Sequence, residues 1–385
     1  MLLLILTIVL LIIAAFWSGM IVNTIDGPTL LAQDGSGNIC IIEDKKLLVS
    51  DPNGELIESH PLRLYGIDEP LADFHASREG DIIVGLRDSN VIKEYRRDGG
   101  EPLVYNITPV AKVMKGYGAY FHFTMDEDRG TLYVTDSGDG ALRIYDNTDT
   151  LVKTLRTPSG ATPNIKQVSG DSPETFGQLL NNIRNVMPSL MKRADVNAPY
   201  NWPNTVVLSN GRIYVADTNN FRIIRMDIDG RLDKIILVNP LKNSSKSGRI
   251  TSFSVYGGKI YALLKNTVIM GGALVEIDPG SDSVKEFALP VPKRASFDPD
   301  DVLATDGGVF VSDSDAFSIY KFSPEGEYEG TFGGKSLKTA LKRPKTVIYI
   351  LSIVRWGALA LAMLLLISLA LINKRLKQKT RSSQA

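Results

Sequence analysis

The sequence predicts an all-β fold: a six-bladed β-propeller with a transmembrane helix at each end and one helical insertion between the third and fourth blades. Three observations predict it. A short motif that starts at a glycine turn recurs six times and ends in an acidic residue in four, each recurrence carries four short strand patterns, and two long uncharged runs flank the repeats. Four strands in roughly 40–50 residues is the period of a propeller blade.

The first run, Leu2 to Val22, holds 21 residues without a charge. At about 1.5 Å per residue it reaches across a bilayer's hydrocarbon core of about 30 Å. It has no basic leader, and its Ala-Ala-Phe-Trp-Ser-Gly-Met stretch is a poor small-x-small cleavage site. Residues 1–23 are therefore expected to be an uncleaved anchor. The repeats follow over 27–333. Gly130-Thr-Leu-Tyr-Val-Thr-Asp136 matches Gly211-Arg-Ile-Tyr-Val-Ala-Asp217, and Gly307-Gly-Val-Phe-Val-Ser-Asp313 has the same form. Weaker copies begin at Gly37, Gly80 and Gly258. The start-to-start spacings are 43, 50, 81, 47 and 49 residues, so one gap holds an insertion.

The best unit shows why each copy reads as strands. Val206 to Leu208 precedes a Ser-Asn-Gly turn, and Arg212 to Ala216 follows. Asp217-Thr-Asn-Asn is a second turn, because Asp and Asn bond their own backbone and tolerate left-handed geometry. Arg222 to Met226 and Lys234 to Val238 complete the four. Strands of about five residues with turn signals every 8–12 residues, roughly, mark an all-β repeat. The pattern Asp-x-x-Asn-x-Arg-Ile, strand, Asp-Gly resembles the NHL repeat of six-bladed propellers. Asp217, Asn219, Asn220, Arg222, Ile223 and Gly230 carry the resemblance best. Asp136 with Arg143, and Asp313 with Ile319 and Gly326, carry it in part; Leu86 and Leu264 replace the Asp in the second and fifth units. The resemblance implies the fold over 27–333 and no single activity, since propellers host many roles.

The insertion spans 157–200. Ser172-Pro-Glu-Thr offers helix-start chemistry, and Phe176, Leu179, Leu180, Ile183, Met187, Leu190 and Met191 recur on one helical face. That face either docks a partner, with Phe176, Leu180, Ile183, Met187 and Met191 as the contact residues, or packs on the side of the propeller. After the repeats comes a basic linker, 334–346, then a second span, 347–373, and a basic tail, 374–385. Arg355 interrupts the second span next to Trp356. It is either an interfacial anchor, its guanidinium snorkelling to the headgroups, or a buried intramembrane charge with a partner. The small residues Gly357, Ala358, Ala360 and Ala362 favour close helix packing.

Composition excludes several function classes. The chain has 43 Lys+Arg against 43 Asp+Glu, without the basic excess of a nucleic-acid binder. One cysteine, Cys40, makes neither an internal disulfide nor a CxxC pair. Three scattered histidines (His60, His75, His122) contain no HExxH, and no glycine-rich phosphate loop leads a strand into a helix. What remains is a ring. Counting seven residues back from each repeat glycine gives Asp73, Asn204, Thr251 and Asp300, with His122 close to the same point in the third unit. Such oxygen-rich groups either surround the channel mouth as a calcium or other divalent-cation site, with Asp73, Asn204 and Asp300 as ligands, or cap turns and line water.

Two anchors hold a propeller close to a membrane, which a soluble enzyme does not need. The expected function is a non-enzymatic, membrane-tethered interaction scaffold or accessory subunit whose partners are the membrane and other membrane or envelope proteins. A membrane-anchored, metal-dependent hydrolase or lactonase-like enzyme and an extracytoplasmic ligand sensor are the alternatives. The basic tail (Lys374, Arg375, Lys377, Lys379, Arg381) argues for cytoplasmic termini, and the absence of Lys or Arg just after the first span argues for export of the middle. In a bacterium the propeller would then be periplasmic at the inner membrane.

Overall fold

The computed structural model describes residues 2–22, 27–97, 99–107, 112–114, 117–119, 121–160, 196–238, 249–265, 272–288 and 299–382. Six four-stranded antiparallel sheets follow one another along the chain, at 28–61, 71–106, 121–155, 203–237, 249–286 and 302–331. These are the blades, numbered one to six. A two-stranded ladder, Lys112–Met114 with Tyr117–Ala119, lies between blades two and three. The expected insertion helix, including Phe176, Leu180, Ile183, Met187 and Met191, falls outside the described residues.

Each sheet is covered on both faces by its neighbours, which explains why the second strands are continuously apolar rather than alternating. In Ile39–Glu43 every residue is buried. Cys40 and Ile42 pack toward blade two, with Phe74, Ile82 and Val84, while Ile39 and Ile41 pack toward blade six, with Phe310 and Ile319. The first strands (Pro28–Gln33, Leu71–Ala76, Phe121–Asp126, Pro203–Ser209, Arg249–Tyr256 and Val302–Thr305) touch one another in sequence around the axis. The strand of blade one also meets blade six, so the ring closes.

The manner of closure is the unusual feature. Each blade takes all four strands from one continuous stretch, so no strand is exchanged between blades one and six. A helix closes the seam instead. The helix at Leu2–Val22 is α1; the second, α2, runs unbroken over Lys335–Ser382. The stretch read as a basic linker is thus the first part of α2. Its Leu337 and Leu341 are fully buried among Leu31, Ile39, Ile41, Leu48, Phe310, Ile319 and Phe332. Phe310 and Phe332 meet edge to face at 4.8 Å. Gly334 N–H donates to Gly54 O at 2.8 Å, and Ser336 Oγ donates to Glu55 Oε2 at 2.9 Å while accepting from Leu56 N–H. Gly54, at φ +89°, approaches Gly333 so closely that a Cβ there would lie 2.5 Å from its Cα.

From this seam α2 climbs beside the outer strand of blade one and leaves the propeller near the 314–317 turn of blade six. There Lys345 Nζ sits 6.0 Å from the Phe317 ring centre. Pro344, which lacks an N–H for the helical ladder, marks the departure point. α1 enters beside the same turn: a Cβ on Gly27 would lie 2.3 Å from Ser314 O. Beyond the propeller the helices pack against each other and run antiparallel. Ile8, Ala15, Ser18 and Gly19 of α1 and Ala358 and Ala362 of α2 are buried in the pair. Gly357 and Ala360 face outward, so half of the small-residue set serves packing. The Arg355 guanidinium lies 3.2 Å from where a Cβ on Gly19 would stand, and 5.5 Å from the Trp356 ring. Among the described residues one helix, α2, is long and apolar enough to cross a membrane.

If α2 is the closing element, Leu337→Ala and Leu341→Ala each lower unfolding stability by about 2–5 kcal/mol, the cost of a buried leucine cavity. Thermal unfolding in detergent checks this. A loss no larger than that of an exposed control such as Leu64→Ala would refute the wedge.

Candidate functional site

The ring of side chains at the channel mouth is built by the starts of the first strands. Asp73 stands there. Its Oδ1 accepts from Phe74 N–H and its Oδ2 from Phe123 N–H of blade three, both at 2.8 Å. His122 Nδ1 is 3.4 Å from Asp73 Oδ2. The same arrangement recurs in blade six, but at Asp301 rather than Asp300. Asp301 Oδ1 accepts from Val302 N–H at 2.9 Å and from Ser252 Oγ at 2.6 Å, and its Oδ2 accepts from Leu31 N–H of blade one at 2.8 Å. The ring is therefore Leu30, Asp73, His122, Thr205, Ser252 and Asp301, each one residue before the strand residue that pairs with the fifth residue of its motif.

Asn204, Thr251 and Asp300 sit one residue off this ring. Asn204 Nδ2 donates to Thr251 O at 2.8 Å, joining blades four and five. Asp300 Oδ2 accepts from Ser314 N–H at 2.8 Å, and its Oδ1 lies 3.8 Å from Lys265 Nζ. The cause is hairpin length. In blades four, five and six the first two strands are joined by two residues (Asn210-Gly211, Gly257-Gly258, Asp306-Gly307), whereas in blade two Ala76 pairs Ile82 across five. A fixed count back from the glycine slips by one, and a one-residue slip reverses the strand face. As a set, Asp73, Asn204 and Asp300 do not fit a calcium site. Calcium takes about six to eight oxygens, whereas the Asp73 oxygens are held by backbone N–H groups and Asp300 faces elsewhere. Among the described residues no three His, Cys, Asp or Glu side chains cluster as metal ligands.

Electrostatics at the mouth favour protons. Burial pushes the Asp301 carboxyl up to about 6, against the hydrogen bonds from Ser252 and Leu31 and with help from Asp73. Burial opposes charge on His122, but Asp73 and Asp301 outweigh it and hold the imidazole above its ordinary value.

A second constellation surrounds the motif aspartates. Asp217 and Arg222 form a fully buried pair, Nε to Oδ2 2.7 Å. Asn220 Nδ2 adds 2.8 Å to Oδ2 and Asn201 N–H 2.7 Å to Oδ1, while Arg222 Nη2 donates to Ala198 O at 3.0 Å. The pair thus pins 198–201, where the chain returns from the insertion. Asp136 and Arg143 repeat the pair at 2.9 Å in blade three. Blade one has Glu43 at this point, buried, with neither oxygen hydrogen-bonded among the described residues. Burial pushes Glu43 up to about 7, against Lys46 and with Asp44.

A cavity of about 330 Å³ opens between blades one and two, lined by Cys40, Glu58, His60, Tyr65, Tyr95 and Arg97 among others. Burial pushes the Cys40 thiol up to about 12, which leaves it a poor nucleophile. Glu58 accepts from Arg97 and lies 3.2 Å from His60 Nε2.

Residues 200–225 match the family model for the NHL repeat. The chain is a six-bladed propeller carrying an NHL repeat. The matched segment is the one whose Asn201, Asp217, Asn220 and Arg222 build the buried clamp, so the match reports architecture. No curated protein matches the sequence. Among solved structures the chain is similar to a streptogramin B lyase, at 15% identity over 82% of this chain and 85% of the other, TM-score 0.47. It is also similar to a catalytically inactive virginiamycin B lyase from Staphylococcus aureus with quinupristin, at 12% identity over 82% and 87%, TM-score 0.47. A nidogen/laminin complex matches at 12% identity over 80% and 94%, TM-score 0.46. These likenesses concern the fold alone.

Glu43, Asp301 and His122 all bind protons more tightly folded than unfolded. Their stabilisation is present below their unfolded pKa values and is lost as pH rises through the folded ones. The melting temperature is therefore expected to fall between about pH 5 and pH 8. Glu43→Gln should raise stability at about pH 8 by on the order of 3 kcal/mol and leave it unchanged below about pH 4.5. Melting curves across this range decide it; a Gln variant equal to the parent at pH 8 contradicts an unpaired buried carboxylate.

Proposed function

We propose that the protein is a non-enzymatic, membrane-tethered interaction module, an accessory or scaffold subunit of a membrane or envelope complex. The observation that carries this reading is the continuity of α2: one helix is wedged into the propeller seam and extends unbroken into an apolar span. α1, apolar over its whole length, packs beside it as a second span. A propeller mounted on a rigid pair of helices is fixed in height and orientation, which suits the organisation of neighbours. The channel-mouth carboxylates support the same reading, because their oxygens tie one blade to the next. Antiparallel helices put both termini on one side of the bilayer. The basic tail, Lys374 onward, supports the cytoplasm as that side; the basic flank before the span (Lys335 to Lys345) nearly balances it, and the lack of Lys or Arg just after the first span tips the reading toward a periplasmic propeller in a bacterium. The outward faces of the spans, Trp356, Met363 and Leu364 among them, are the surface for partner helices.

A ligand-sensing role is the second reading, favoured by the cavity beside Glu58, His60 and Tyr95. Purification of the tagged full chain in nanodiscs, with mass spectrometry and elemental analysis of the same sample, tests both. Stoichiometric membrane proteins without metal are expected. A solitary chain carrying about one equivalent of a divalent cation would overturn the scaffold reading and favour an enzyme.

A further inference from the structure

The two ends of a propeller are different surfaces, and the chain path decides which one meets the membrane. Pro28 pairs with Glu43, at the end of blade one that carries the Asp44-Lys45 turn. α1 enters at this end. α2 begins at the opposite end, beside Gly54, and departs at the 314–317 turn of blade six, which lies at the same end as 44–45. Both helices therefore leave through the face that bears the Asp73–His122–Asp301 mouth.

The distance from that face to the bilayer follows from helix register. Gly19 lies against Arg355 in an antiparallel pair, so Val22, the last residue of α1, is level with Ser352. Six residues, 346–351, then separate Lys345 from the start of the shared apolar stretch, about 9 Å of helix. A headgroup layer is about 5–8 Å thick on each side of the core. The face consequently rests at the outer edge of the headgroup layer, where a projecting side chain reaches into it. On this face the Leu62–Tyr65 turn of blade one presents Leu64, 69% exposed, more than any other large apolar residue among the described residues of the propeller. Arg63 and Lys45 beside it are exposed, and Lys342, Arg343 and Lys345 line α2 at the same level. Leu62 N–H donates to Lys45 O at 2.8 Å, which fixes the turn to the face.

We propose that this face is a lipid-contacting surface in which Leu64 enters the headgroup layer and Lys45 and Arg63 pair with anionic lipid phosphates. The opposite face, with the Asp51–Glu55 turn, is turned away from the bilayer. The inference rests on the membrane-spanning reading above. An apolar side chain flanked by cations is the chemistry of an interfacial anchor. It adds a third attachment point to the two spans and hides the channel mouth from soluble partners.

The test uses the full chain in nanodiscs, with Cys40→Ala and an environment-sensitive fluorophore at Leu64→Cys or at the far-face control Asn53→Cys. Lipids with a headgroup nitroxide should quench the probe at 64 several-fold more than at 53. The difference should shrink without anionic lipid or with Lys45→Glu and Arg63→Glu. Equal quenching at the two positions, or more at 53, overturns the proposal. Alkaline carbonate extraction of the same chain from vesicles separates the two failures: release into the supernatant overturns the spanning reading, whereas retention with an unquenched position 64 overturns only the lipid-contacting face.

Discussion

The seam between blades six and one is the constraint on which the rest depends. A propeller has a first and a last blade whose mutual contact must be as strong as the others, or the ring opens. Here that contact has no shared strand. It has an apolar wedge, Leu337 and Leu341 inserted among side chains of both blades, with Gly334 and Ser336 bonded to the 54–56 turn. Because the wedge is the first part of α2, the element that closes the fold is also the helix that is long and apolar enough to cross a membrane. Closure of the ring and the direction in which the apolar helix leaves it thus share one structural cause.

Polar side chains add to four of the seams, the six–one seam included. Asp73 holds blade three by a backbone N–H, Asn204 holds blade five, Ser252 meets Asp301, and Asp301 holds blade one. Each is a hydrogen bond of a partly or wholly buried group, where loss of one partner costs more than the bond adds. The motif pairs Asp136–Arg143 and Asp217–Arg222 do the same work inside blades, and the second also pins the return from the insertion. Glu43 is the exception, a buried carboxylate with no guanidinium against it among the described residues, and it adds blade one to the proton-linked sites at Asp301 and His122.

The fold was legible because its signal is periodic. Gly-to-Asp copies at a near-constant spacing name a blade even when single strands are ambiguous, and the Asp217–Arg222 spacing carries the NHL resemblance. The ring was less legible. Asp73 could be read because its hairpin has five connecting residues, but Thr205, Ser252 and Asp301 stand behind two-residue turns, and counting from the glycine lands on their neighbours. The turn sequences Asn210-Gly211 and Asp306-Gly307 were the available clue, since both favour tight hairpins. The wedge was hidden by charge. Lys335, Lys338, Lys342, Arg343 and Lys345 read as a solvated linker, yet Leu337, Ala340 and Leu341 recur at helical spacing beneath them. A short apolar stripe inside a basic stretch has no sequence signal that distinguishes docking on another domain from exposure.

Hydrogen exchange of the full-length protein in nanodiscs, comparing the parent with Leu337→Asp, tests the wedge most directly. Burying a charge in the seam should free the start of α2. The account predicts faster exchange in 39–50 and 308–322, the strands of blades one and six that the wedge touches, with blades three and four unchanged. Exchange that is unaltered at the seam, or raised equally in all six blades, would contradict a ring closed by α2.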